Sequence, residues 1–149
     1  MIYIGIDPGK KGGIAVIDEE NVAATFPYSD DKLKEVCEDM HERKVFCIVE
    51  KVGAMPKQGV TSTFNFGQSF GYILGVLEAN YVPYQLITPQ KWKKYFSLTN
   101  DKERSILTAK RLFPGVPLLP TERCKKDSDG MAEALLMALY GKRINEGGE

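Results

Sequence analysis

Four carboxylates carry the chemistry this sequence offers. Asp7 ends the run Ile2-Tyr3-Ile4-Gly5-Ile6, Glu50 ends the run Val45-Phe46-Cys47-Ile48-Val49, and Asp129 and Glu133 stand four apart at the start of a helical segment near the C-terminus. An acidic pair at that spacing stacks on one side of a helix, where like charges repel by about 0.2 to 0.5 kcal/mol when exposed and by more when buried together. A divalent cation turns that repulsion into binding. All-oxygen ligands suit Mg²⁺, with Mn²⁺ as a substitute, and two ions about 3.5 to 4 Å apart can bind a phosphodiester and activate water against it. No Ser-His or Cys-His pair competes, because the lone His41 reads as a surface residue. Cys37 and His41 have a helical i,i+4 spacing, yet no C-x-x-C pair completes a zinc site. Taken singly, each carboxylate also has a plain reading as the solvated end of a strand or a complement to a helix dipole. Their combination favours metal-assisted hydrolysis.

The elements that carry these residues must bring them together. Ile2, Ile4 and Ile6 alternate with Tyr3, Gly5 and Asp7, the period-2 pattern of a strand with the carboxylate at its C-terminal end. Pro8 to Gly13 is rich in turn formers, and Ile14 to Ile17 and Val22 to Phe26 continue as two antiparallel strands. Asp30 to Arg43 carries Leu33, Val36, Cys37 and Met40 at helical spacing and leads into the buried strand ending at Glu50. A right-handed crossover then lays that strand parallel to the first and beside it, which makes Asp7 and Glu50 neighbours. They share the sheet edge where open α/β sheets concentrate their chemistry. A helix over Thr63 to Asn80, a strand at Tyr84 to Ile87, a helix started by Thr88 and Pro89, and helices over Asp101 to Phe113 and Ser128 to Arg143 complete the order β-β-β-α-β-α-β-α-α-α. On the last helix Met131, Ala134, Leu135, Ala138 and Leu139 define the core stripe, with Asp129 and Glu133 beside it.

Composition sets the bounds. With 149 residues the chain has room for one domain with a real core, and 43% hydrophobic and 27% charged residues are ordinary for a globular protein. No apolar run approaches the roughly 20 residues of a membrane span, and the first residues lack the basic start of a secretory leader. Three scattered cysteines argue against a disulfide framework. We therefore expect a soluble, cytoplasmic protein. The formal net charge of zero counts at first against a nucleic-acid partner. Between Pro89 and Arg111, however, seven basic residues (Lys91, Lys93, Lys94, Lys102, Arg104, Lys110, Arg111) meet two acidic ones, leaving that stretch at +5. A cationic rim around an acidic centre and an ordinary solvated helical surface fit this asymmetry equally well.

The motifs together resemble a known family. Ile4-Gly5-Ile6-Asp7-Pro8-Gly9 with Gly12-Gly13 resembles the opening motif of RuvC-like Holliday-junction resolvases, and Ile48-Val49-Glu50 their second acidic strand. Gly67-Gln68 to Gly75 is similar to their glycine-bearing helix, Trp92-Lys93 to their basic helix, and Asp129-Gly130-Met131-Ala132-Glu133-Ala134-Leu135 to their terminal acidic helix. The similarity spans most of the chain. It implies an α/β, ribonuclease H-like fold over residues 1–149, a mixed five-stranded sheet flanked by helices. It implies Asp7, Glu50 and Glu133 as metal-binding positions, with Asp129 as the fourth. The family's closing pair is often Asp-x-x-Asp, so the wider spacing here keeps Asp127 in reserve. Lys93 and Lys102 resemble positions that approach DNA phosphates or the negative charge developing at the site, which places Lys93 with the catalytic group. With Lys91, Lys94 and Arg104 from the same basic stretch, Lys93 and Lys102 form the expected DNA-binding set. The implied activity is cleavage of four-way junctions, with flaps and forks as related branched DNA, leaving 5′-phosphate and 3′-hydroxyl ends. The departures look similar to phage-borne members.

Gly67, Gly71 and Gly75 recur every four residues, each costing about 1 kcal/mol against alanine inside a helix. Close backbone approach must offset that cost, either to the domain's own sheet or to the same helix of a second subunit. The resemblance favours a homodimer, whose two-fold axis would suit a two-fold junction. Phe64, Phe66 and Phe70 on the same helix read either as core or as platforms for opened bases. Two alternatives share the opening motif: a YqgF-like RNA-processing nuclease and an actin-like nucleotide-binding domain. Length opposes the second, because the chain has room for one lobe and no second glycine-rich loop.

Overall fold

Isoleucines on one face and Tyr3, Gly5 and Asp7 on the other commit Ile2–Asp7 (β1) to the centre of a sheet covered on both sides. The computed structural model describes residues 1–147. Gly13–Ile17 (β2) and Ala23–Pro27 (β3) continue the antiparallel meander, and Asp30–Asp39 (α1) leads to Val45–Glu50 (β4). Val60–Ala79 (α2), Tyr84–Ile87 (β5), Pro89–Tyr95 (α3), Lys102–Leu112 (α4) and Asp129–Asn145 (α5) follow. The element order is the one expected. Helix α1 stops short of Arg43, and α2 starts three residues before Thr63.

The sheet order is β3-β2-β1-β4-β5, with β1 antiparallel to β2 and parallel to β4, and β4 parallel to β5. Ile6 pairs with Val49, so the parallel register carries on to Asp7 beside Glu50, as the right-handed crossover requires. Caps fix the helix starts: the hydroxyls of Ser29, Thr88 and Ser128 accept from the amides of Lys32, Lys91 and Met131. Pro89 follows its Thr88 cap as predicted.

Two hydrophobic layers hold the sheet. On one face Ile2, Ile4, Ile6, Ile14, Cys47 and Val49 pack against Leu33, Val36 and Cys37 of α1 and Ile73 and Leu77 of α2. Each such aliphatic side chain contributes about 1.5 to 3 kcal/mol on burial. On the other face Ala15, Ile17 and Ile48 meet α5, which is in turn covered by α3 and α4. Helix α5 departs from the amphipathic reading. Every residue from Gly130 to Lys142 is buried, because α4 and α3 cover the side expected to face water. Lys142 ends this buried stretch by donating from Nζ to the carbonyls of Asp18 (3.0 Å) and Glu19 (2.7 Å) in the β2–β3 turn. No helix among the described residues is long and apolar enough to cross a membrane.

Candidate active site

Strand alternation decides which way the first two carboxylates lie. Asp7 follows Tyr3 and Gly5 on the α5 side of β1, and Glu50 follows Phe46 and Ile48 on the α5 side of β4. Both therefore end their strands against the helix that carries Asp129 and Glu133.

Glycines bring that helix close. A Cβ at Gly5 would lie 2.6 Å from the Ala138 amide nitrogen, and one at Gly13 would lie 2.7 Å from the Met131 Cα. Gly130 rests against the backbone of Lys11 and Gly12 in the β1–β2 turn. That turn is shaped by Gly9, whose φ of +118° is accessible to glycine at little cost. The first turn of α5 thus sits directly on the strand end bearing Asp7, anchored by the bond from the Ser128 amide to the Leu118 carbonyl (2.8 Å).

The charges of the four carboxylates act on one another. Burial, and then the negative charges of Glu50, Glu133 and Asp129, push the Asp7 carboxyl well above the usual range against the pull of Lys102. Burial raises Glu133 to about 7, Lys93 and Lys102 oppose the rise, and Glu50 and Asp129 add to it. Only 7% of Glu133 is exposed, so little water screens these effects. Burial also raises Glu50, against the indole of Trp92, whose Nε1–H donates to Glu50 Oε2 at 2.8 Å, and the charge of Lys93.

Two lysines reach the cluster. Lys93 Nζ stands 3.9 Å from Glu133 Oε1 and 5.5 Å from the centroid of the Trp92 ring. Lys102 Nζ stands 3.3 Å from Asp129 Oδ2, and this contact raises the lysine's own pKa. Lys91, Lys94 and Arg104 remain exposed on α3 and α4. The five predicted cations therefore divide, two turned to the acidic cluster and three to solvent. Asp127, the reserve candidate, turns away: its carboxylate pairs with Lys110 on α4. Trp92 is the residue whose part sequence reasoning missed. The available signal was a single bulky apolar residue on a short lysine-rich helix, started by Thr88 directly after the strand beside β4.

Among the described residues, no three Asp, Glu, His or Cys side chains are gathered tightly enough to hold an ion as they stand. Lysine ammoniums stand against two of the four carboxylates, Lys93 beside Glu133 and Lys102 beside Asp129. The donor set fits a hard divalent cation.

A mixed sheet of this order with a buried helix laid across it is a ribonuclease H-like fold. Within that class it is RuvC-like. Thermus thermophilus RuvC in complex with a Holliday junction substrate is similar to this chain with a TM-score of 0.65 and 20% identity, over 99% of this chain and 96% of that one. A second Thermus thermophilus RuvC structure gives a TM-score of 0.60 and 16% identity, over 99% and 97% of the two chains. No protein-family model matches the sequence, and no curated protein matches it.

Proposed function

We propose that this chain is a divalent-metal-dependent endonuclease that hydrolyses phosphodiester bonds in branched DNA, four-way junctions above all and flaps and forks with them. The observation that carries the reading is that two adjacent strand ends and one helix bring four carboxylates near enough to disfavour the charge of Asp7, with two lysines beside them. Asp7, Glu50, Asp129 and Glu133 would hold Mg²⁺, with Mn²⁺ substituting. Once bound there, the metal supplies Lewis acidity toward a phosphoryl oxygen and a water acidic enough to attack near neutral pH. Asp7 feels the charges of all three other carboxylates and would be the ligand common to the whole set.

Lys93, held beside Glu133, brings a fixed positive charge to the place where negative charge grows on the phosphate. Lys102, on the exposed side of the cluster, adds a second positive charge beside Asp129. Lys91, Lys94 and Arg104 are free to take flanking phosphates, a contribution that weakens steeply with salt. A homodimer is supported by α2, whose outer side exposes Val60 (87%) and Phe64 (71%) beside the open glycines 67, 71 and 75. The solved RuvC bound to a Holliday junction substrate supports branched DNA as the partner.

A cleavage assay tests this reading, comparing a fixed four-way junction, a flap, a linear duplex and structured RNA in Mg²⁺. The junction is expected to be cut to 5′-phosphate and 3′-hydroxyl ends, and Asp7→Asn to abolish cutting while junction binding persists. Cleavage of RNA alone would overturn the DNA substrate. Cleavage surviving in Asp7→Asn would overturn the site.

A further inference from the structure

Two consecutive residues of α3 hold carboxylates from two different elements: Trp92 donates to Glu50 on β4, and Lys93 faces Glu133 on α5. We infer that Trp92 is the positioning residue for Glu50, its indole N–H fixing one carboxylate oxygen so that the other is presented to a divalent cation. The inference rests on the metal-site reading above and adds a residue that reading does not need.

The chemistry of the indole suits the task. It is a neutral donor with one N–H and no acceptor, so it can orient a carboxylate without competing as a cation for the place a metal would take. A lysine there would do both. The 2.8 Å bond to Oε2 leaves Oε1 as the oxygen free for another partner. A ligand whose rotamer is already fixed loses less freedom on binding, and removing such an orienting partner typically weakens metal affinity by about 10- to 100-fold.

The indole is itself immobilised. Trp92 is fully buried among the side chains of α5, and it is the one buried residue of α3. The helix is set by the Thr88 cap, whose hydroxyl accepts from the Lys91 amide at 3.3 Å, and by Pro89. Directly after it the Phe96 amide donates to the carbonyls of Trp92 and Lys93. Position thus passes from the end of β5, through a capped helix, to the indole and on to the end of β4.

Trp92 is also the only tryptophan in the chain, so its N–H gives a single signal. In the metal-free wild-type protein labelled with ¹⁵N, that indole resonance is expected to move as Mg²⁺ is added, over the range in which calorimetry shows the metal binding. Trp92→Phe keeps an aromatic ring in the core and removes the donor. It is expected to lower Mn²⁺ affinity, measured calorimetrically without DNA, about tenfold, while saturating Mn²⁺ restores cleavage to within about threefold of wild type. Phe113→Leu, a packing change elsewhere in the same core cluster, is expected to leave the affinity where it was. Unchanged affinity in Trp92→Phe, an equal loss in Phe113→Leu, or an indole signal unmoved by saturating metal would each overturn the inference alone. A wild-type protein that binds no Mn²⁺ would overturn the metal site itself.

Discussion

Helices α5 and α2 lie on opposite faces of one sheet and both carry glycines, yet the glycines do opposite things. On the α5 face, Gly5, Gly13 and Gly130 lie where any side chain would strike backbone, and the contact they permit sets the first turn of α5 on the strand end bearing Asp7. On α2, Gly67, Gly71 and Gly75 face open space, with nothing within 4 Å of where a Cβ would be. Of the two ways to offset their helix cost that the sequence left open, close approach to the domain's own sheet does not occur at these glycines. On the α5 face tight packing brings the start of the helix that carries Asp129 and Glu133 to the strand end bearing Asp7, whose charged form is disfavoured there. The α2 face leaves a small-residue surface uncovered within the single chain.

The largest effect should separate the two faces. Gly5→Ala drives a methyl into the α5 backbone, where neither strand nor helix can yield cheaply, and is expected to cost about 3 kcal/mol or more in urea unfolding. A cost near zero would mean that α5 is not seated as described. Next comes the electrostatic cost of the site. Asp7→Asn replaces a buried carboxyl whose charged form is disfavoured by burial and by its three acidic neighbours, and is expected to leave the metal-free protein at least as stable in urea unfolding while abolishing cleavage.

The burial of Glu133, with the charges of Glu50 and Asp129 added to it, gives stability an unusual pH dependence. Glu133 titrates near 7 in the folded chain and near 4.5 as an ordinary glutamate, so between those values the folded state holds a proton that the unfolded state has released. Its contribution is fully present below about 4.5 and is lost as pH rises through 7. The metal-free protein is therefore expected to melt several degrees lower at pH 8 than at pH 5.5, and Glu133→Gln to flatten that slope; thermal scans across this range decide it. The smallest effect belongs to the open face. Gly71→Ala is expected to stabilise the isolated chain by up to about 1 kcal/mol. Destabilisation that grows with protein concentration would instead mark a second subunit seated there.

The parts legible in the sequence were those set by local pattern. Strand alternation, turn residues and the Thr88-Pro89 start gave the element order. One chirality rule then placed Glu50 beside Asp7. What escaped depended on contacts between distant elements. Met131, Ala134 and Leu135 mark one buried stripe, but nothing local says that α4 and α3 also cover the opposite side and enclose Glu133. Spacing prefers Asp129 and keeps Asp127 in reserve, and only the contacts separate them fully: Asp127 pairs with Lys110 on α4, while Asp129 pairs with Lys102. The bond from Trp92 to Glu50 joins residues 42 apart and has no periodic signature.

The measurement closest to the central claim is the crystal structure of the chain with Mn²⁺, read by anomalous scattering. The account predicts peaks within coordination distance of Asp7, Glu50 and Glu133, with Asp129 drawn in as the fourth ligand and Lys102 displaced from it. Full Mn²⁺ occupancy at other residues, with those carboxylates still apart, would contradict it.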